Sequence, residues 1–263
     1  MNDFNFARAG QMPAGTMDTS TDEGLRKFML GVYNKLALGI LLAGVLAFVA
    51  GTVPPVTQLI FGTPFQYVVQ WGPIALIFGS MFFMRNPSPV GSAILYWSIV
   101  TLLGLGLGVW VVMAELQAQG TPLAAETRGG IELVNAGYAT IMKAFLITAI
   151  AFGGLSLWGY TTKKNISGFG NFMIMAMIGV FGLSIINMFM PPSSTMEWII
   201  MGAVFVLSAG IVAWQTQELK FSYYEMAGNE RGLAVMTNFG ALNFFISFVN
   251  MFRIIMMFLS SRE

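Results

Sequence analysis

The chain contains no cysteine and no histidine, and only 10% of its 263 residues are charged. Without cysteine there are no disulfides, no thiolate metal ligands and no cysteine nucleophile, and without histidine no Ser-His-Asp triad can form. Aspartate occurs only at Asp3, Asp18 and Asp22, ahead of the first apolar run, which excludes a protease built on two intramembrane aspartates. These absences remove most enzyme classes, and they leave no predicted metal site or cofactor.

The scarcity of charge also indicates where the chain resides. A soluble globular domain carries about 25% charged residues, whereas 56% of this chain is hydrophobic and its mean hydropathy is +0.71. So few charges cannot cover a water-exposed surface, and the formal net charge of +1 gives no sign of a nucleic-acid partner. We therefore expect a non-enzymatic, all-α membrane protein whose main contact is the lipid bilayer.

Apolar runs long enough to cross a bilayer recur along the chain. A hydrocarbon core about 30 Å thick needs roughly 20 apolar residues in a helix. Breaks such as Val53-Pro54-Pro55 and Met190-Pro191-Pro192 separate the runs, because proline ends a helix. The seven predicted spans are 28–51, 66–84, 91–114, 138–160, 170–190, 197–217 and 233–259, and the fifth and sixth are expected to form a hairpin.

Two polar segments lie outside these spans. Residues 1–23 are rich in Gly, Ser, Thr and Asp and are expected to form a flexible cytoplasmic tail, which leaves 24–263 as the transmembrane domain. Ser20-Thr21-Asp22-Glu23 fits a capping box, so the first helix is expected to begin near Thr21. The segment 115–137 is expected to be an external loop.

Lysine and arginine are distributed unequally across the predicted membrane. With the N-terminus inside, only Arg128 and Arg262 lie outside, and Lys35, Lys143 and Arg253 fall within spans. The inner side then carries Arg8, Arg26, Lys27, Arg85, Lys163, Lys164, Lys220 and Arg231. The positive-inside rule therefore predicts a cytoplasmic N-terminus and, with seven spans, a C-terminus outside.

The last predicted span carries a polar stripe. Asn243, Ser247 and Asn250 recur at i, i+4 and i+7, which places them on one helical face. Amides facing hydrocarbon are costly, so this face is expected to turn towards other helices or water. Two interpretations remain: hydrogen bonds that hold the bundle together, or a polar path beside the seventh span.

Other intramembrane residues have structural interpretations. Long basic side chains at the depths of Lys35, Lys143 and Arg253 are expected to snorkel to the interface. The Gly104-Leu105-Gly106-Leu107-Gly108 run is expected to allow close helix packing, and Gly153-Gly154, Gly179 and Gly182 are interpreted in the same way.

Several motifs resemble those of the transmembrane Bax inhibitor motif family, the Bax inhibitor-1 and bacterial YccA group. Ala213-Trp214-Gln215-Thr216-Gln217 and Ser247-Phe248-Val249-Asn250-Met251-Phe252 look like its sixth- and seventh-helix motifs, and the resemblance runs from about residue 25 to the end. The most specific stretch lies between spans four and five and comprises Tyr160, Thr161, Thr162, Lys163, Lys164, Asn165, Ile166, Ser167 and Gly168.

The resemblance implies a seven-helix protein of the bacterial inner membrane in which six helices surround a central seventh. Members of the family are associated with passive, pH-sensitive calcium leak. They are also associated with modulation of other membrane proteins, including a membrane-anchored AAA+ protease.

The chain departs from the family at the positions that carry its leak mechanism. Calcium-leak members have an Asp on helix six and another on helix seven; these positions match Gln215 and Ser247, whereas the Arg that engages the pair is retained as Arg85. Two neutral side chains cannot share a titrating proton and are poor Ca²⁺ ligands. The sensor is therefore predicted to be degenerate.

Two functions remain open from the sequence. The first is a passive ion leak, by the family's precedent of calcium, along Arg85, Gln215, Asn243, Ser247 and Asn250. The second is a non-conducting regulatory partner that binds another membrane protein, such as an AAA+ protease, through its tail.

Overall fold

Every regular element in the described part of the chain is an α-helix in the computed structural model. The structure describes residues 23–83, 86–119, 127–189, 194–226 and 228–260. The helices are α1 (Glu23–Thr52), α2 (Pro54–Phe61), α3 (Phe65–Phe83), α4 (Pro89–Gln119), α5 (Thr127–Thr161), α6 (Ser167–Met188), α7 (Ser194–Glu225) and α8 (Glu230–Ser260). The predicted all-α class is confirmed for these residues.

Six helices of the described residues, α1 and α4 to α8, are long and apolar enough to cross a membrane. The predicted span 66–84 has its helix in α3, but this 19-residue helix contains Pro73 and is not among the six. Its first two turns also carry Gln66 and Gln70, which lower its hydropathy. The arrangement of seven spanning helices therefore stays a prediction.

Two helix boundaries differ from the sequence-based expectation. The break at Val53-Pro54-Pro55 is followed at once by α2, because proline at the first helical positions has no N–H to leave unsatisfied. The predicted loop 115–137 is shorter than expected, since α4 continues to Gln119 and α5 begins at Thr127. Residues 1–22 and 120–126 lie outside the described residues.

Short polar side chains cap the first turns of α4 and α8. The Gly91 amide donates to Ser88 Oγ at 2.9 Å, and the Gly232 amide donates to Asn229 Oδ1 at 2.9 Å. Each oxygen satisfies an N–H group that has no partner within the first turn. Helices α4 and α8 therefore begin at side-chain caps, whereas Val53 before α2 forms no side-chain cap.

The chain divides into two compact units. The first unit holds α1 up to Gly31, α5 from Ile150, and then α6, α7 and α8 up to Leu233. The second unit holds α1 from Val32, α2 to α4, α5 up to Ala149 and α8 from Ala234. Within the first unit α6 packs along α7, as the predicted hairpin requires, and within the second α3 packs along α4.

Small residues allow close helix contacts at several positions. A Cβ at Gly104 would lie 2.7 Å from the Ala43 Cα, and one at Gly108 would lie 2.7 Å from the Ala50 Cβ. The packing role predicted for the glycine run of α4 is therefore confirmed at these positions. The same role is wrong for Gly153, Gly154, Gly179 and Gly182, where a Cβ would meet no described atom within 4 Å.

Helix α8 is the most buried of the six candidate spans. In its most apolar stretch 61% of the residues are buried, against 17% to 33% in the other five. Its buried side chains include Phe244, Phe245 and Met251, all at most 1% exposed. This burial agrees with an inner position for the last span, whereas the six-around-one arrangement stays a prediction.

Candidate functional site

The exposed positions of α8 form a narrow polar set. Between residues 235 and 259 the exposed side chains are Asn243, Asn250 and Arg253, and every other position is buried or half-buried. Steps of seven and three residues keep these three on one side of the helix. Leu, Ile and Phe, which lipid would favour, occupy the buried faces instead. The structure therefore puts an open polar strip on the helix that is otherwise the most enclosed.

The predicted polar stripe is divided by this arrangement. Ser247 is only 7% exposed, although it lies between Asn243 and Asn250 along the stripe, and it takes part in a polar contact. Gln215 lies half-buried on α7 and also has an interaction partner. It belongs to the first unit, whereas the α8 residues belong to the second. Arg85 lies outside the described residues.

A second polar cluster lies inside the second unit and joins three helices. Lys35 Nζ of α1 donates to Asn238 Oδ1 of α8. Asn238 Nδ2 donates to Ser92 Oγ at 2.8 Å and to the Pro89 carbonyl oxygen at 3.0 Å, both on α4. Asn238 and Ser92 are 3% and 2% exposed. We call Lys35, Ser92, Tyr96 and Asn238 the lysine cluster.

Tyr96 connects the lysine cluster back to α1. Its hydroxyl donates to the Lys35 carbonyl oxygen at 2.7 Å, and Lys35 Nζ lies 5.9 Å from the ring centroid, within reach of a cation–π interaction. The side chain of Tyr96 is fully buried. The ammonium group of Lys35 is therefore held by a neutral amide oxygen and an aromatic face.

The sequence analysis did not predict the lysine cluster. Lys35 was expected to snorkel to the interface, and this stays a prediction; the structure adds that its ammonium group donates to Asn238 within the protein. Asn238 lies outside the i, i+4, i+7 stripe of α8 and so had no partner in the sequence pattern. The available signal was a lone lysine about two turns inside an apolar span, which requires an acceptor wherever it does not reach water.

Gln217 of α7 forms two hydrogen bonds with the family-like segment between α5 and α6. The amide of Ile166 donates to Gln217 Oε1 at 2.8 Å, and Gln217 Nε2 donates to the Lys164 carbonyl oxygen at 2.8 Å. Gln217 is 3% exposed. Its side-chain amide supplies the acceptor for one bond and the donor for the other. Two of the three motifs that carry the resemblance, 160–168 and 213–217, therefore contact each other.

Further contacts hold the same segment, which we call the signature loop (Tyr160–Gly168). Lys220 Nζ donates to the Tyr160 carbonyl oxygen at 3.0 Å and lies 5.5 Å from the centroid of the Tyr160 ring. The Ser167 amide donates to Asn165 Oδ1 at 2.9 Å. One turn inside the membrane-spanning part, Ser156 Oγ and Thr216 Oγ1 are 3.0 Å apart, both buried.

Some residues in and around the signature loop hold it in place, and others are exposed. Gln217 and Lys220 were not among the predicted site residues. The sequence does show them as two polar residues, three positions apart, that follow Trp214. Thr161 bonds to the Leu157 carbonyl oxygen of its own helix at 2.8 Å. Lys163 and Lys164 are exposed, and Thr162 and Ser167 are half-buried. The signature loop therefore exposes Lys163 and Lys164, whereas Gln217, which binds the loop to α7, is buried.

The described residues contain no group of three or more Asp, Glu, His or Cys placed to hold a metal ion. The polar groups of the exposed α8 strip and of the lysine cluster are amides, hydroxyls and cations. Such groups solvate ions weakly and do not form a multidentate carboxylate cage of the kind Ca²⁺ prefers.

Known proteins resemble the chain over nearly its whole length. The family model described as "Inhibitor of apoptosis-promoting Bax1" matches residues 25–263. A Caulobacter vibrioides protein is 42% identical over 98% of both chains, and a Rickettsia prowazekii protein is 32% identical over 92% of both. "Inner membrane protein YbhL" of Escherichia coli K12 is 28% identical over 91% of this chain and 94% of its own.

Proposed function

Because the chain belongs to the Bax inhibitor-1 family of multi-pass membrane proteins, we propose that it is a passive ion leak of the bacterial inner membrane. Its path follows the exposed polar strip of α8, and it lacks a proton-controlled switch. The location draws on the name of the E. coli relative, an inner membrane protein.

One observation carries the proposal. Asn243, Asn250 and Arg253 are the exposed residues along the central part of the most buried candidate span. A side chain that is open on a membrane helix faces either lipid or water, and amides and guanidinium groups facing lipid are costly. Water beside α8 relieves that cost, and a file of water next to polar side chains lets small ions pass.

The proposed leak differs from the calcium-leak members in its control. The positions that match their two aspartates are Gln215 and Ser247, which do not titrate in the physiological range. Without a shared proton the conducting path has no acid-dependent latch. Gln215 and Arg85 enter this proposal through the resemblance alone.

Ca²⁺ flux into liposomes containing the purified protein tests the proposal. We expect flux above that of empty vesicles, with equal rates at pH 6 and pH 8. Asn243→Leu with Asn250→Leu is expected to reduce the rate about tenfold, because the loss of polar lining raises the barrier by about 1.4 kcal/mol. Asn34→Leu, which alters an exposed amide of α1, is the matched control and leaves the rate unchanged.

The possible outcomes test the leak, its path and the missing switch separately. Absence of excess flux at both pH values contradicts the leak itself. Equal flux in the α8 double variant and the parent contradicts the path beside α8. A third variant, Gln215→Asp with Ser247→Asp, is expected to gain pH dependence; if it folds and does not, the account of the missing switch is wrong.

The alternative of a regulatory partner for an AAA+ protease depends on residues 1–23. Residues 1–22 lie outside the described residues, and no contact of the described part favours this function. It stays a prediction from the sequence.

A further inference from the structure

A large cavity opens on the second unit between α1, α4, α5 and α8. Its volume is about 710 Å³, within the range of about 300–1,000 Å³ typical of ligand pockets. Trp110 and Tyr138 are the lining residues that carry a nitrogen or oxygen atom in the side chain, and the rest are aliphatic residues, phenylalanines, one methionine and one glycine. This lining fits hydrocarbon and does not fit a solvated ion.

The length of the cavity corresponds to one leaflet of a bilayer. Its lining runs from Ala37 to Phe48 on α1 and from Tyr138 to Ala149 on α5. Each interval is eleven steps, or about 16 Å at 1.5 Å per residue. This is close to half of a hydrocarbon core about 30 Å thick. A single acyl chain of one leaflet therefore matches the cavity in length.

One end of the cavity is polar and acidic. Tyr138, which lines it, donates from its hydroxyl to Glu115 Oε1 at 2.7 Å. Glu115 lies one turn beyond the lining residue Val111 on α4, on the same helical face. The rings of Phe48 and Tyr138 lie 6.4 Å apart at this end, and the lining residue Trp110 lies five residues before Glu115 on α4. Aromatic side chains of this kind collect at the headgroup level of a membrane.

We propose that this cavity is a binding site for a phospholipid with an ammonium headgroup, such as phosphatidylethanolamine. One acyl chain occupies the apolar part, and the ammonium group lies against the Glu115 carboxylate. The Tyr138 hydroxyl holds the carboxylate in place, and the rings beside it favour a cation. An anionic headgroup of the same length meets a like charge at Glu115 and binds less well.

Quenching of Trp110 by lipids brominated on the acyl chain tests the site. The other five tryptophans are replaced by phenylalanine, and the variant is reconstituted in vesicles with increasing brominated phosphatidylethanolamine or phosphatidylglycerol. We expect half-maximal quenching at an ethanolamine-lipid fraction about three- to fivefold lower than for the glycerol lipid, the ratio that one partly exposed charge pair gives. Native mass spectrometry of the unaltered protein with either lipid supplies a second measurement that does not depend on the tryptophan replacements.

Three substitutions locate the site. Glu115→Gln keeps an acceptor for Tyr138 but removes the charge, so the preference between the two lipids is expected to disappear. Gly44→Leu fills the cavity from its wall, since a Cβ at this lining residue meets nothing within 4 Å, and bound lipid is expected to be lost. Gly154→Leu, at an equally open glycine that does not line the cavity, is the matched control and keeps the binding of the parent.

Each result decides one part of the proposal. Equal quenching and equal adduct formation by the two lipids in the parent contradict headgroup selection. Undiminished binding in a folded Gly44→Leu protein contradicts the cavity as the site, as does a second copy of the chain or another protein in place of lipid in the mass spectrum. Ion flux plays no part in these measurements, so the site stands or fails independently of the leak.

Discussion

Lys35 and Asn238 are two polar residues, and the contribution of each to the stability of the protein depends on the presence of the other. Lys35 Nζ donates to Asn238 Oδ1, and the other end of the same amide is occupied by α4. A buried group that loses its partner costs about 1–3 kcal/mol, whereas exchange of both partners for apolar groups of similar shape is close to neutral. The lysine cluster therefore stabilises the second unit only as a complete set.

Substitution of one partner or both tests this dependence. Asn238→Leu is expected to lower the free energy of unfolding by about 1–3 kcal/mol, because it leaves Lys35, Ser92 and the Pro89 carbonyl oxygen without their amide. Lys35→Met combined with Asn238→Leu is expected to recover part of that loss. Thermal unfolding in detergent, followed by tryptophan fluorescence, gives both changes.

Lys143→Met is the matched control for this pair. Lys143 is an exposed lysine of α5, so its loss is expected to change stability by no more than about 0.5 kcal/mol. A double variant that is less stable than Asn238→Leu alone would contradict the mutual dependence of Lys35 and Asn238.

At this scale the sequence predicted positions but not partners. The seven-residue spacing of Asn243 and Asn250 places them on one helical face, and this spacing is visible within a single segment of the sequence. The pair Lys35 and Asn238 is separated by 203 residues, so only the tertiary fold brings it together. Exposure along the stripe was equally invisible, since Ser247 is buried between two exposed asparagines by its neighbours in space.

The connection between α5 and α6 depends on α7 more than on its own sequence. Gln217 bonds to the backbone at both Lys164 and Ile166, and Lys220 bonds to Tyr160. Close packing supports these bonds, because a Cβ at Gly159 would overlap the Ala213 carbonyl oxygen and one at Gly170 would overlap the Trp214 ring. The signature loop is thus the part of the first unit where three helices are fixed together.

Gln217→Leu is expected to release the signature loop without unfolding the helices. The substitution preserves the approximate volume but removes an acceptor from the Ile166 amide and a donor from the Lys164 carbonyl oxygen. Hydrogen–deuterium exchange of the peptide that contains Ile166 is expected to accelerate about tenfold, which corresponds to about 1.4 kcal/mol of lost protection. Exchange in α8 is expected to remain that of the parent.

Glu218→Gln provides the control at the neighbouring position. Glu218 is exposed, so this change is expected to leave the exchange of the signature loop unaltered. If Gln217→Leu and Glu218→Gln give the same exchange at Ile166, the fastening by Gln217 contributes nothing measurable.

The helices themselves could be predicted better than their ends. Apolar runs bounded by Pro, Asn and Gly located α1 and α3 to α8, because a membrane helix must satisfy its own backbone. The short α2 was missed, since two adjacent prolines look like a break although they are well suited to a helix start. The extensions of α4 and α5 into the predicted loop were missed because polar residues form helix as readily as loop.

On the scale of the whole molecule, neither unit is continuous in the chain. The second unit contains the greater part of α1 together with most of α8, so residues near both ends of the sequence share one unit. Deletion of α8 would remove Asn238 from the lysine cluster and Phe248 from its contact with Phe145, whose ring centroid lies 5.8 Å away. The last helix is therefore required for the fold of the second unit as well as for the proposed path.

The number of crossings decides the orientation of the whole molecule, and α3 is the helix on which it depends. If α3 crosses the membrane, Thr63 and Asn86 lie on opposite sides and seven crossings put the C-terminus opposite the N-terminus. If it does not, those two residues lie on one side and six crossings return the C-terminus to the side of the N-terminus. The Lys and Arg distribution favours seven crossings.

Single cysteine reporters resolve this choice, because the chain has no cysteine of its own. Thr63→Cys and Ser260→Cys are expected to react with a membrane-impermeant maleimide in intact cells. Asn86→Cys and Asn229→Cys, both at exposed positions, are expected to react only after permeabilisation. Labelling of Thr63→Cys and Asn86→Cys from the same side would contradict a crossing by α3. In that case the α8 strip would also run in the opposite direction through the membrane, with Arg253 towards the cytoplasm and not towards the outside.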